Sequence, residues 1–264
     1  MLVLKHISLA TVDQLFRYKS RGFDLPDFPG YSADQWGIKA HNRPWIDDVG
    51  QFRKGQRVLE VGGAYSGLPA FLGTKYDLEP WVADDFGVSS DEPLWSRWGD
   101  PNELQARFPA VHYVFRRLGE FAPELEADSF DRVFSVSTLE HIPSAERPRV
   151  IEDMHRITRP GGLQIHTIDV SVMAPRVVIG QWLGSKLPPL RLVVRRPAND
   201  MLGWIELFRR SGVRVAHRIP SLLKLLDRKT LVESPDVVYR FYPPNDAPKP
   251  YRPSASLLLV IEKS

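Results

Sequence analysis

Arg57-Val58-Leu59-Glu60-Val61-Gly62-Gly63-Ala64-Tyr65-Ser66-Gly67 sets the fold of this chain. A short apolar run ends on a pair of glycines, so it reads as a buried strand that stops in a tight turn. Gly67–Leu72 then starts a helix, with Ser66 as its N-cap. Glycines between a strand and a helix let the main chain approach a ligand closely. A dinucleotide fingerprint needs Gly-x-Gly-x-x-Gly; counted from Gly62, its second glycine falls on Ala64 and the match fails. What remains is an acid, Glu60, two residues ahead of the glycine-rich bend. A carboxylate there repels a pyrophosphate and accepts hydrogen bonds from an ammonium. The alternative is an ordinary tight turn.

Working outward, the same rhythm repeats. Pro80–Ala83 is a second short strand that ends in Asp84-Asp85, Val111–Phe115 a third, and Phe130–Val136 a fourth. Arg147–Thr158 reads as a helix, with Val150, Ile151, Met154 and Ile157 at helical spacing. It stops before the turn Pro160-Gly161-Gly162, and Leu163–Ile168 is a fifth strand. Asp200–Ser211 is helical with Gly212 as its stop, and Val213–Ile219 and Leu257–Ile261 supply two last strands. Strands alternating with helices predict an α/β fold with a mostly parallel sheet, in which ligands bind beyond the carboxyl ends of the strands. Asp84 sits at such an end, where an acid takes the hydroxyls of a ribose. A solvated acid pair is the alternative, and either Asp84 or Asp85 can face inward; Asp84 is favoured. After the fourth strand come Ser137, Thr138, Glu140 and His141. Histidine is the side chain best suited to exchange a proton near neutral pH. It can equally bond a neighbouring loop.

The remainder is read from composition. The chain has 264 residues, 43% hydrophobic and 25% charged, which is ordinary globular content. A net charge of +3 is no dense basic stripe, so no strong nucleic-acid signal is present. The absence of cysteine excludes disulfides, a thiol nucleophile and a thiolate metal site, and fits a cytoplasmic location. Met1–Ala10 carries no long apolar core, so no signal peptide is expected. No apolar stretch approaches the roughly 20 residues that cross a bilayer. Residues 1–54, with Thr11 capping a helix and a loop over 24–34, are expected as an N-terminal cap on a main domain at 55–264. Insertions at 171–198 and 221–254 are long for connections in a compact domain.

In order and spacing these segments resemble class I S-adenosylmethionine (SAM)-dependent methyltransferases. Val58–Gly67 looks like their first motif, and Asp84 falls at their ribose-binding acid. Phe130-Asp131-Arg132-Val133 with Leu139-Glu140-His141 resembles their fourth-strand motif. Arg156–Leu163 is similar to the signature before their fifth strand, and Trp204–Val215 to their late helix. The resemblance implies a Rossmann-like, seven-stranded, mostly parallel sheet with helices on both faces and the last strand antiparallel. It implies SAM as cofactor, bound by Glu60, Gly62, Gly63, Gly67, Asp84 and Ser137. Two departures stand out. Ala64 and Ser66 occupy positions usually held by glycine, and Arg116-Arg117-Leu118-Gly119-Glu120 lacks the acid usual on the adenine side, a role left to backbone groups or Glu120.

An activated methyl donor asks the protein to align a nucleophile, exclude water and remove a proton where the acceptor is a hydroxyl. His141 is the first candidate base. Asp169, at the end of the fifth strand, is the second, with anchoring of the following insertion as its other reading. Leu-Glu-His resembles a segment that holds a divalent ion in some ubiquinone-pathway O-methyltransferases; a further carboxylate of that pattern is replaced by Ser137, so no metal is expected. Residues 171–198 mix apolar side chains with Arg176, Lys186 and Arg191. They read as a lid, a peripheral membrane contact, a phosphate-recognition segment or a packed hairpin. Tyr239–Pro244 offers aromatic surface for a sugar or a packed hairpin. The expected acceptor is a small molecule or glycan hydroxyl. RNA or protein methylation, or a non-catalytic binding module, is the alternative; the lack of an Asn-Pro-Pro-Tyr-type segment argues against base methylation.

Overall fold

The computed structural model describes residues 1–23, 37–63, 65–86, 101–171, 200–215, 229–233 and 254–264. In chain order the elements are β1 (Leu2–Leu9), α1 (Val12–Arg21), α2 (Gly37–Val49), β2 (Arg57–Val61), α3 (Leu68–Tyr76), β3 (Glu79–Ala83), α4 (Pro101–Arg107), β4 (His112–Val114), β5 (Phe130–Val136), α5 (Arg147–Ile157), β6 (Thr158–Ser171), α6 (Met201–Arg210), β7 (Val213–Arg214) and β8 (Ser254–Lys263). The strands form one sheet in the order β4-β3-β2-β5-β6-β8-β1-β7. Among the described strands only β8 runs against its neighbours, antiparallel to both β6 and β1, as the resemblance implies for the last strand.

Strand alternation builds the two faces. Leu59, Val61 and Val133 pack with Ile151, Met154, Trp204 and Phe208, which puts α5 and α6 on one side. Val58, Phe134 and Ile165 pack with Tyr18, Ile46, Leu68 and Leu72, which puts α1, α2 and α3 on the other. Glu60, two residues from Val58, therefore points to the α2 side. Buried Arg132 of β5 fixes the end of α2 by donating to the carbonyls of Gly50 (2.5 Å) and Gln51 (3.1 Å).

The expected seven strands are corrected to eight. The addition is β1, which lies inside the sheet between β8 and β7 although it comes from the segment read as a cap. Its pairing with β8 slips between Leu4 and His6, so the buried Leu4, Ile7 and Leu9 do not follow a clean period of two. Thr11 caps α1 as expected, in a capping box with Gln14. The N-cap of α3 is Gly67 rather than Ser66, whose hydroxyl accepts from Leu68 N at 3.2 Å. The strand expected over Val213–Ile219 is Val213–Arg214, and 216–228 lie outside the described residues. The loop at 24–34, Tyr239–Pro244, residues 172–198 of the first insertion and most of the second also lie outside them. No helix among the described residues is long and apolar enough to cross a membrane.

Candidate functional site

The carboxyl ends of β2 and β5 open into a cleft lined by Glu60, Gly62, Gly63, Tyr65, Ser66, Val136, Ser137 and Thr138, with Lys39 and Arg43 of α2 on its other side. Gly62 has φ +69°, a conformation that favours glycine, and its N–H donates to Ala83 O at 2.9 Å. The turn is held from across the cleft, where Thr138 Oγ1 donates to Gly62 O (3.3 Å). Glu60 is 2% exposed and Arg43 3%. One carboxylate thus faces two cations within a single cleft. That arrangement complements an α-amino acid, whose ammonium seeks the acid and whose carboxylate seeks the cations.

Beyond the ends of β3 and β4 the surface changes character. Asp84 Oδ1 accepts from Phe86 N at 2.6 Å, and Asp85 is drawn to Arg117 at 3.4 Å. Arg117 also meets Glu146 at 2.6 Å, so the two acids take different partners. Phe86 packs edge-on to Tyr65 and tilted on Phe115, with ring centroids 5.9 and 5.4 Å apart. A half-buried ring, Phe86, and an exposed one, Phe115, beside an acid suit a flat heterocycle carrying a sugar. Glu120, considered for the adenine side, lies 3.8 Å from both Arg116 and Arg117 and is exposed.

A polar network continues from the cleft wall into the interior. Asn42 Nδ2 donates to Ser137 Oγ (3.1 Å) and Ser256 Oγ (2.7 Å). Both serines donate to Asp169 Oδ1, at 3.1 and 3.2 Å. Behind Asn42 stands fully buried His41, whose ring burial holds well below its usual pKa, at about 4. Asp169 N donates to Glu140 Oε1 at 3.1 Å. Burial, then the charge of Asp169, pushes the Glu140 carboxyl up to about 8.

Of the residues singled out from sequence, Glu60, Gly62, Gly63 and Ser137 line one cleft. Asp169 reaches it through Ser137. Gly67 is buried behind the turn as the α3 N-cap. Asp84 stands at the neighbouring strand end, one residue past Ala83, which pairs with Val61. His141 is exposed on the short turn after β5 and is not among the cleft residues, whereas the adjacent Glu140 is buried. Sequence reasoning missed Lys39, Arg43 and Asn42. The available signal was the i, i+4 spacing of Lys39 and Arg43, which sets two cations on one helix face.

Residues 102–165 match the family model described as a methyltransferase domain. No curated protein sequence matches the chain. Among solved structures, the cyclopropane synthase MmaA2 of Mycobacterium tuberculosis overlays with a TM-score of 0.52 at 13% identity, over 95% of this chain and 94% of that one. A candidate sarcosine dimethylglycine methyltransferase from Galdieria sulphuraria gives 0.51 at 14% identity, over 94% and 96%. Phosphoethanolamine N-methyltransferase 2 of Haemonchus contortus, solved with SAM, gives 0.49 at 13% identity; 95% of this chain spans only 57% of that protein's length. At such identities the likeness establishes architecture alone: the chain has a Rossmann-like methyltransferase fold, and its residues 102–165 match the methyltransferase-domain model.

Proposed function

We propose that this protein is a SAM-dependent methyltransferase whose acceptor is a hydroxyl of a small molecule or glycan. The observation that carries this reading is the placement of Glu60, Lys39 and Arg43 in one cleft around the glycine bend, the charge pattern that an amino-acid ligand would meet. The residues fit the cofactor at its other end too. Asp84 suits the ribose, with Asp85 engaged by Arg117, and the Phe86–Phe115 rings suit the adenine. When bound, SAM supplies an electrophilic methyl group on a sulfonium. Glu60 would hold the ammonium, Arg43 and Lys39 the carboxylate, and the Gly62–Gly63 main chain would border the methionyl part. Asp169, held by two serine hydroxyls at the cleft wall, would receive the acceptor's proton. Residues 171–198 are proposed to select the acceptor.

Calorimetric titration with SAM and with S-adenosylhomocysteine (SAH) tests the reading, and binding of neither removes it. Arg43→Gln is expected to weaken SAH about tenfold or more, the loss of one charge-assisted hydrogen bond. The same variant should leave 5′-methylthioadenosine, which lacks the amino-acid end, unaffected. Equal weakening of both ligands would show that Arg43 acts only on the fold. A labelled-methyl transfer screen against extracts of the source organism then identifies the acceptor.

A further inference from the structure

Three carboxyl groups meet behind the cleft wall. Asp169 is opposite Ser256 in the β6–β8 pairing. Glu233 forms a bridge with Ser254, two residues earlier on β8. Glu140 takes the main-chain N–H of Asp169. Glu140 and Glu233 are 7% and 6% exposed, and each buries a carboxylate oxygen, Oε2 and Oε1 respectively, that has no hydrogen-bond partner. None of the three makes an ion pair among the described residues. A buried acid without a cation is costly as an anion and relieves that cost by holding a proton or by meeting a positive charge. The charged groups facing the cluster are few: His141 beside Glu140 in the turn, Arg147 of α5 toward Glu140, and Lys39 of α2 toward Glu233.

Resting on the SAM reading above, we infer that Glu140 and Glu233, set around Asp169, form a charge-responsive proton store, releasing protons when a sulfonium occupies the cleft and regaining them as the methyl group leaves. The link to the cleft is Ser137, which lines it and donates to Asp169. The charge ledger closes over one turnover. The S–CH3 bond breaks with its electron pair left on sulfur, an O–CH3 bond forms, and the hydroxyl proton passes to a carboxylate of the cluster. A cation and a carboxylate are thereby replaced by a neutral thioether and a carboxylic acid. Burial, then the charge of Asp169, holds Glu140 at about 8 and Glu233 at about 7, so both exchange protons near neutrality. A nearby positive charge favours the ionised form and lowers these values. SAM affinity relative to neutral SAH should therefore rise with pH, approaching about tenfold for each group lowered by one unit once the pH is above that group's unliganded value.

Infrared difference spectroscopy on the full chain at pH 7.5 reads the carboxyls directly. Adding SAM is expected to remove protonated-carboxyl absorption, while adding SAH is not. The double variant Glu140→Gln/Glu233→Gln should abolish the SAM-induced loss. Its SAM-to-SAH affinity ratio should keep only the pH slope due to the ligands' own amino groups. Identical spectra with the two ligands, or a band loss that survives in the double variant, would overturn the inference. The wild-type comparison decides alone if the variant does not fold. Binding of neither ligand is a different outcome: it sinks the cofactor reading itself and this inference with it.

Discussion

Gly62→Ala is expected to abolish measurable SAH binding and to lower the melting temperature by about 10 °C. Two independent terms add at this residue. Its φ of +69° costs an L side chain about 1–2 kcal/mol. A Cβ there would lie 2.0 Å from Thr138 Cγ2 and 2.8 Å from its hydroxyl, so the turn after β5 must move, at about 1–3 kcal/mol. That movement breaks the Thr138–Gly62 hydrogen bond that fixes the two sides of the cleft. At Gly63 the atoms nearest an added Cβ belong to the Glu60 side chain, at 3.0 Å, so Gly63→Ala should disturb the Glu60 carboxylate with less effect on stability. Thermal unfolding and SAH titration check both. Adding Thr138→Gly to Gly62→Ala removes the clash and leaves the backbone term, so part of the stability should return. Wild-type SAH affinity in Gly62→Ala would contradict the assignment of the cleft.

The parts of the site that were legible are those fixed by local pattern. Val58-Leu59-Glu60-Val61 followed by glycines dictates a strand end, and a strand end dictates which residues look into the crevice. Asp169 was found the same way. The α2 contribution was hidden because the helix inverts the usual pattern. His41, Asn42 and Arg43 are buried and Pro44 lies inside the helix, so consecutive polar residues sit where an apolar face would mark a helix. The burial of Asn42 makes sense only once Ser137 and Ser256, far apart in sequence, arrive to accept its amide hydrogens, with Asp169 behind them taking both hydroxyls. Glu140 and His141 show a second limit. Sequence adjacency marked the pair, but only the turn geometry decides that Glu140 goes inward and His141 toward solvent. Strand β1 escaped for a third reason, since the slip at Lys5 erases the alternation that identifies a strand.

Asp153→Ala should cost about 3–5 kcal/mol, the scale for breaking a buried charged hub by removing one partner. Asp153 is fully buried on α5. Its Oδ2 accepts from Gly119 N (2.8 Å) and Phe121 N (3.1 Å), and its Oδ1 from Arg156 Nε (2.9 Å). Gly119 and Phe121 both have positive φ, at +91° and +57°, so the loop after β4 is wound into a shape it would not keep without an acceptor beneath it. Alanine leaves two main-chain N–H groups and a guanidinium without their partner. The consequence extends to the cleft, because the same loop carries Arg117, which pairs with Asp85 and Glu146. Freed of Asp153, the loop releases Arg117 and with it the turn that presents Asp84. Denaturant unfolding should report the stability loss. Affinity for 5′-methylthioadenosine, which retains the ribose and adenine, should fall along with that for SAH. Arg43→Gln predicts the opposite split, sparing 5′-methylthioadenosine. The two variants therefore dissect the cleft into its nucleoside and amino-acid halves, and a parallel response to both would mean that the cofactor does not lie across the ends of β2 and β3.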